Sequence, residues 1–366
     1  MSKIIYNGYA TQYKFVFQMF EHKELDMAVL NTLKINENLA YMISDEEYLT
    51  VRGLRRTYHS NNIHSVLDEE ISQTLGMGFI AGFVGFPNFG MECVHKIKNR
   101  IDTMVKSHAQ GFPETASELA EMAAGIITEN TREKINSRLK YLYGFTMDDV
   151  NRNYFTENRT KTEIKQEDIV KKALEIINKK EKSGIIDEIN KIEFIFACYD
   201  GDSPIQFFEI QPSNCVINPM PSLFSSVGAG ADVCNIIFAE FINKTPLQKR
   251  RDGIDPVEGL IEMFWAVDQA SLYNHQVGGY CHLCIIEKKG KEGFRMFSDH
   301  KPKVGSDIVK AYKKGWLDAD RTRELIDGLF FKEMPFEEAE EKLFRYASDK
   351  KQLDLFLRGY KYFDSI

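Results

Sequence analysis

Apolar and polar positions along this chain fall into short runs of period two and longer runs of period three to four, and their succession predicts the element order. Met27–Lys34 (MAVLNTLK) and Leu39–Ser44 (LAYMIS), joined by the turn Asn36-Glu37-Asn38, read as a hairpin. A second pair follows at Val66–Ile71 and Gly76–Gly85, where four glycines imply a strand that other backbone approaches closely. Glu92–Lys106 carries apolar residues at helical spacing. Thr115, three residues ahead of Glu118, makes a capping box that opens an amphipathic helix over Thr115–Thr128. Strands at 193–198 (EFIFAC) and 205–210 (IQFFEI) flank the turn Tyr199–Pro204. Phe224–Ala231 runs a strand into a helix over 232–242, and Pro256–Ala270 is a helix opened by proline. Gly278-Gly279 precedes a strand at 280–287, which Gly290 turns into another at 294–297. Residues 306–366 read as further helices, two of them separated by Pro335.

Antiparallel strand pairs alternating with helix pairs describe an α+β fold of two packed sheets covered by helices on both outer faces. Charge dominates residues 129–190, which read as a partly helical, solvated insertion. The expected division is an N-terminal extension at 1–26, a domain over 27–305 containing that insertion, and a helical C-terminal extension at 306–366.

Composition narrows the classes. An apolar fraction of 43% with 26 phenylalanines is ample for a core. No run approaches the roughly 18 apolar residues of a membrane span, and the first residues lack the apolar segment of a secretory signal, so a cytoplasmic protein is expected. A net charge of −7 and a pI near 5.7 weigh against nucleic acid as a partner, and the run Lys249-Arg250-Arg251 reads as solvated. The six cysteines are scattered through apolar stretches, as buried reduced thiols are. Cys281 and Cys284 form a CxxC, but on a strand residues three apart face opposite ways and cannot converge on a metal. Asp200, Asp202 and Glu46-Glu47 read as turn-stabilising acids, and His275 and His282 lack companions at ligand spacing, so neither metal nor cofactor is expected. Gly228-Ala229-Gly230 lacks the third glycine of a phosphate loop, Val233 standing in its place, and reads as a close-packing turn.

Four passages resemble the proteasome β-subunit and HslV family of N-terminal-nucleophile hydrolases. They are Leu39–Asp45, a strand ending in aspartate; Val66–Ile71 with Gly78–Gly82; Phe194–Ile210 with Val227–Ala231; and Asp268–Tyr280, which contains Val277-Gly278-Gly279. The resemblance covers roughly 27–128 and 192–297, and it implies a four-layer αββα sandwich that assembles into rings. It also implies hydrolysis by a threonine exposed through self-cleavage, whose amino group acts as base beside a lysine that lowers the amine's proton affinity.

Most of that machinery is missing. Counting back from Asp45 places the nucleophile at Met27, Ala28 or Val29, none of which can attack a carbonyl. Thr32 lies about half a strand late and follows Asn31 rather than glycine. The lysine position, just before Val66-Leu67, holds Ser65 with His64 beside it. Ala229 replaces the serine between the glycines, and Asn274 and Val277 replace the later aspartate and serine, which leaves Asp45 alone. The expectation is a catalytically silent member used for assembly or binding. It would act as a homo-oligomer, with paralogous subunits, or on a peptide or protein ligand, and neither on membrane nor on nucleic acid. The alternative is a divergent peptidase or amidohydrolase, either of threonine type through Thr32 or with a relocated set of Asp45, His64 and Ser65. Against that set, neighbouring His64 and Ser65 face opposite ways on a strand.

Overall fold

The computed structural model describes residues 28–45, 48–49, 56–57, 61–107, 112–157, 160–164, 167–178, 180, 184–201, 203–212, 217–274, 277–279, 281–289, 293–298 and 300–361. The N-terminal extension expected at 1–26 lies outside them. The first hairpin is β1 (Val29–Asn36) and β2 (Leu39–Asp45), its turn closed by Asn38 N–H donating to Asn36 Oδ1 at 2.8 Å. β3 (Tyr48–Leu49) and β4 (Arg56–Thr57) pair with each other, and β5 (Ile63–Ser65) leads through α1 (Glu69–Leu75) to β6 (Gly78–Val84). Then follow α2 (Pro87–Lys106), α3 (Ala116–Tyr143), α4 (Met147–Arg152), the pair β7 (Tyr154–Glu157) and β8 (Thr160–Glu163), α5 (Glu167–Ile177) and α6 (Ile185–Asn190). The second half runs β9 (Glu193–Tyr199), β10 (Gln206–Ile210), β11 (Ile217–Pro219), β12 (Phe224–Gly228), α7 (Ala231–Lys244), α8 (Leu247–Asp252) and α9 (Pro256–Tyr273). β13 (Cys281–Glu287), β14 (Phe294–Phe297), α10 (His300–Lys313), α11 (Ala319–Phe331), α12 (Phe336–Tyr346) and α13 (Lys350–Lys361) complete it.

Two five-stranded antiparallel sheets result, ordered β12-β1-β2-β13-β14 and β11-β10-β9-β6-β5. Alternation along each strand divides its side chains between two environments. Leu30, Ala40, Met42 and Cys284 of the first sheet share one buried cluster with Ile80, Ile195 and Ala197 of the second. On the other face of the first sheet, Val29, Leu33, Tyr41 and Leu283 pack with Phe238 of α7, Phe264 of α9 and Phe330 of α11. On the other face of the second, Phe79, Phe83, Phe194 and Phe196 pack with Ile97 of α2 and Leu119 of α3. Cys281 and Cys284 fall into different clusters, as a CxxC on a strand must. Among the described residues no helix is long and apolar enough to cross a membrane.

Three expectations are corrected. Val66–Ile71 is not a strand: bonding to β6 ends with Val66 N–H donating to the Phe79 carbonyl at 2.9 Å, and Glu69–Leu75 is helical. The helix begins after its N-cap Asp68, where Glu69 and Glu70 sit favourably in the first turn and Ile71 packs against the outer cluster of the second sheet. The helix opened by the capping box at Thr115 does not stop at 128 but continues to Tyr143. The stretch 129–190 is no solvated arm either: Ile135, Leu139, Phe145, Ala173, Ile176 and Ile189 are buried in the cluster that holds the phenylalanines of the second sheet. Its charges occupy the outer face, where Lys96–Glu133 (2.5 Å) and Arg132–Asp148 (2.7 Å) pair.

Candidate functional site: the head of the first strand

Four backbone ends meet around Ala28 and Val29, two of the three positions, with Met27, to which the resemblance assigns the nucleophile. β1 begins there, β2 ends beside it at Asp45, β12 ends at Gly228, and the segment before β13 contributes Gly278. Asp45 is fully buried, and its two oxygens accept the Val29 N–H and the Gly278 N–H, each at 2.7 Å. Ala28 C=O accepts the Ala229 N–H at 2.9 Å, Ala229 C=O accepts from the Asn274 side-chain amide, and Gly228 N–H donates to Glu193 of the second sheet at 3.0 Å.

Geometry makes Gly228 obligatory. Its φ is +89°, and a Cβ there would collide with the Ala28 carbonyl oxygen. Ala28 itself stands at φ +69°, an uncommon conformation for a residue with a side chain. Gly228→Ala is expected to lower the unfolding free energy by about 2 kcal/mol, read as a lower urea midpoint at unchanged slope.

The other candidates are dispersed. Met27 lies outside the described residues. Thr32 is fully buried toward the space between the sheets, and its hydroxyl donates to the Ser225 carbonyl at 3.3 Å. Lys34, two residues on and on the same face, is half-buried, and burial lowers its amine below the ordinary lysine value. A hydroxyl with no exposure is out of a substrate's reach. His64 turns toward the helices: its ring stacks on Phe83 with centroids 5.7 Å apart, and burial pushes the imidazole below its usual range, with His95 and His282 adding to the effect. Ser65 Oγ donates to the Leu67 carbonyl at 2.5 Å. Asp45, His64 and Ser65 therefore each serve other partners, and no hydrogen bond joins them among the described residues.

Ser65, at the position the resemblance gives to the lysine, carries no amine, and Ile63 two residues earlier projects into the inter-sheet cluster that also holds Ala28 and Leu30. Next to it Asn62 Nδ2 donates to Ser44 Oγ at 3.3 Å, fastening β2 to the second sheet. Sequence reasoning missed Ile63, Asn62 and the two amides held by Asp45. The apolar–polar alternation Ile63-His64-Ser65 was the available signal for the first, whereas backbone partners leave no trace in residue types.

Other chemistries find little support. Burial pushes the Cys93 and Cys234 thiols up to about 12, so neither is a thiolate at neutral pH. Asp200 accepts the Ala116 and Ser203 N–H groups at 3.0 and 2.9 Å, a turn-stabilising role. Glu46, Glu47, Asp202 and His275 lie outside the described residues. Among the described residues no three His, Cys, Asp or Glu side chains are grouped to hold a metal ion.

No family model and no curated protein sequence matches the chain. Among solved structures it is similar to a (Gly-1) mutant of Anbu from Hyphomicrobium sp. strain MC1, with TM-score 0.49 and 11% identity over 79% of this chain and 95% of that one. It is also similar to Anbu, an ancestral β-subunit, from Yersinia bercovieri, with TM-score 0.48 and 12% identity over 78% of this chain and 94% of that one.

Proposed function

We propose that this chain is a catalytically silent, proteasome-like protein of the four-layer αββα architecture, acting through assembly or binding in a reducing, cytoplasmic setting. One buried cluster drawn from both sheets, flanked by two clusters that each join a sheet to helices, supports the layering. The observation that carries the silence is the head of β1. Ala28 and Val29 offer no nucleophile, Ser65 at the lysine position offers no ammonium, and both oxygens of Asp45 are taken up by backbone amides. Acyl transfer by an N-terminal nucleophile needs a hydroxyl or thiol, a free amine and a neighbouring cation together. Exposed apolar side chains on the packed pair α7 and α9, Ile236 (68%), Leu272 (70%) and Tyr273 (77%), support self-association or association with paralogous subunits. On this reading 27–305 is the ring-type domain, with 1–26 and 306–366 as additions.

Purified protein is expected to leave a panel of fluorogenic peptides uncleaved and to keep its intact mass of 42.2 kDa. Turnover abolished by Thr32→Ala, or a mature chain lacking the residues before Ala28 or Val29, overturns the proposal. Light scattering is expected to report an oligomer, and a monomer there would remove the assembly role while leaving the silence untouched.

A further inference from the structure

Strand β14 is an open sheet edge lying in a groove. Glu287 N–H donates to the Gly293 carbonyl at 2.9 Å, and the register pairs Ile285 with Arg295 and Leu283 with Phe297. Antiparallel ladders alternate, so Arg295 and Phe297 spend their backbone groups on β13 while the N–H and C=O of Phe294 and Met296 point away from it. Those four groups have no partner among the described residues. They open into a groove of about 500 Å³, lined also by Glu69 of α1, Lys301 of α10, Leu329 of α11 and Glu333.

Both edges of the second sheet are blunted in the usual ways: β11 carries Pro219, and β5 is only three residues long. β14 carries no proline. Its Arg295 guanidinium is turned away from the edge, donating to the Phe330 carbonyl and to Glu287, both at 2.7 Å.

We propose that β14 is a docking edge for an extended basic segment of another polypeptide, which adds as a sixth strand to the first sheet. The unpaired backbone of Phe294 and Met296 supplies a ladder of the ordinary strand spacing, about 4.8 Å. Charge selects the occupant. Glu287 neutralises Arg295, and the remaining charged lining is Lys301 against two carboxylates, Glu69 and Glu333. A pair of Lys or Arg residues on an added strand complements this excess of carboxylates. A second copy of this chain is the poorer occupant, because it is acidic overall and brings its own Glu69 and Glu333 to the same rim.

The test uses the whole chain and fluorescein-labelled peptides of Val and Thr with a central Lys-Lys pair, beside matched peptides with Glu-Glu. Anisotropy is expected to rise with the Lys-Lys peptides alone. Met296→Pro removes only an outward N–H, and is expected to weaken binding about tenfold with thermal stability retained. Glu69→Lys with Glu333→Lys is expected to transfer the preference to the Glu-Glu peptides. Should the proline variant fail to fold, deuterium exchange on the native protein decides: the Phe294 and Met296 amides are expected to slow when peptide is added. No anisotropy change with either peptide, binding indifferent to Met296→Pro, or exchange at these amides unaltered by peptide overturns the proposal. So does protection of both amides by self-association alone.

Discussion

Asp45→Ala is expected to lower the unfolding free energy by about 4 kcal/mol, a larger loss than any other polar side chain at the head of β1 should cause. The side chain is fully buried and joins three separate backbone segments: its own strand, the head of β1 through Val29 N–H, and the approach to β13 through Gly278 N–H. Alanine leaves two buried donors without acceptors, each costing about 1–3 kcal/mol, and opens a small void besides. Asp45→Asn retains one acceptor but presents an NH2 to the second amide, so roughly half the loss is expected. Urea unfolding at constant slope measures both variants, and hydrogen exchange at the Val29 and Gly278 amides should accelerate in the alanine variant. A loss below about 1 kcal/mol would mean that the aspartate does not hold these ends together. The outcome also separates two roles for this residue. A catalytic aspartate costs activity at nearly unchanged stability, whereas a staple costs stability.

Asp307→Asn is expected to stabilise the protein by about 3 kcal/mol at pH 8 and to change little near pH 4. Asp307 lies on α10, only 8% exposed, where the C-terminal helices pack on α9. Burial raises its carboxyl from 3.8 to about 6, Glu340 of α12 and Asp268 of α9 push the same way, and Lys310 and Lys303 of its own helix oppose them. Lys310 is itself engaged by Asp268 at 3.1 Å. A carboxyl raised in the folded state stays protonated there while the unfolded chain has already ionised. Its contribution to stability is therefore complete below about 4 and is lost as pH climbs through about 6. The asparagine variant lacks this titration, so the difference in urea midpoint between the two proteins should grow over that window and then level off. Parallel curves from pH 4 to pH 8 would contradict the burial of an ionised Asp307.

Much of the architecture was legible because it rests on local physics. The hairpin of β1 and β2, the paired β9 and β10, the glycine-rich β6 and the helices opened by Thr115 and Pro256 announce themselves through period, turn residues and caps. Legibility failed where strand-type residues run on into a helix. Val66–Ile71 fits a strand by residue type, but its last residues belong to a helix that begins after Asp68, with Ile71 packed against the outer cluster of the second sheet. It failed again over 129–190, where apolar residues are sparse but regularly placed, so that average composition hid a buried stripe.

At the candidate site the division is sharper. Residue identities alone determined that Ala28 and Val29 have nothing with which to attack a carbonyl, because chemistry absent from a side chain cannot be restored by folding. They also determined that Cys281 and Cys284 must part to opposite faces, since strand geometry is the same in every fold. Tertiary structure alone decided what Asp45 does, since its partners are backbone amides from segments 16 and 233 residues away. It alone turned His64 onto Phe83 and left the outer groups of β14 open to a groove. The physical reason is range. Period, caps and reactivity are written within a few residues, whereas burial and the pairing of remote backbone exist only once the chain has closed on itself.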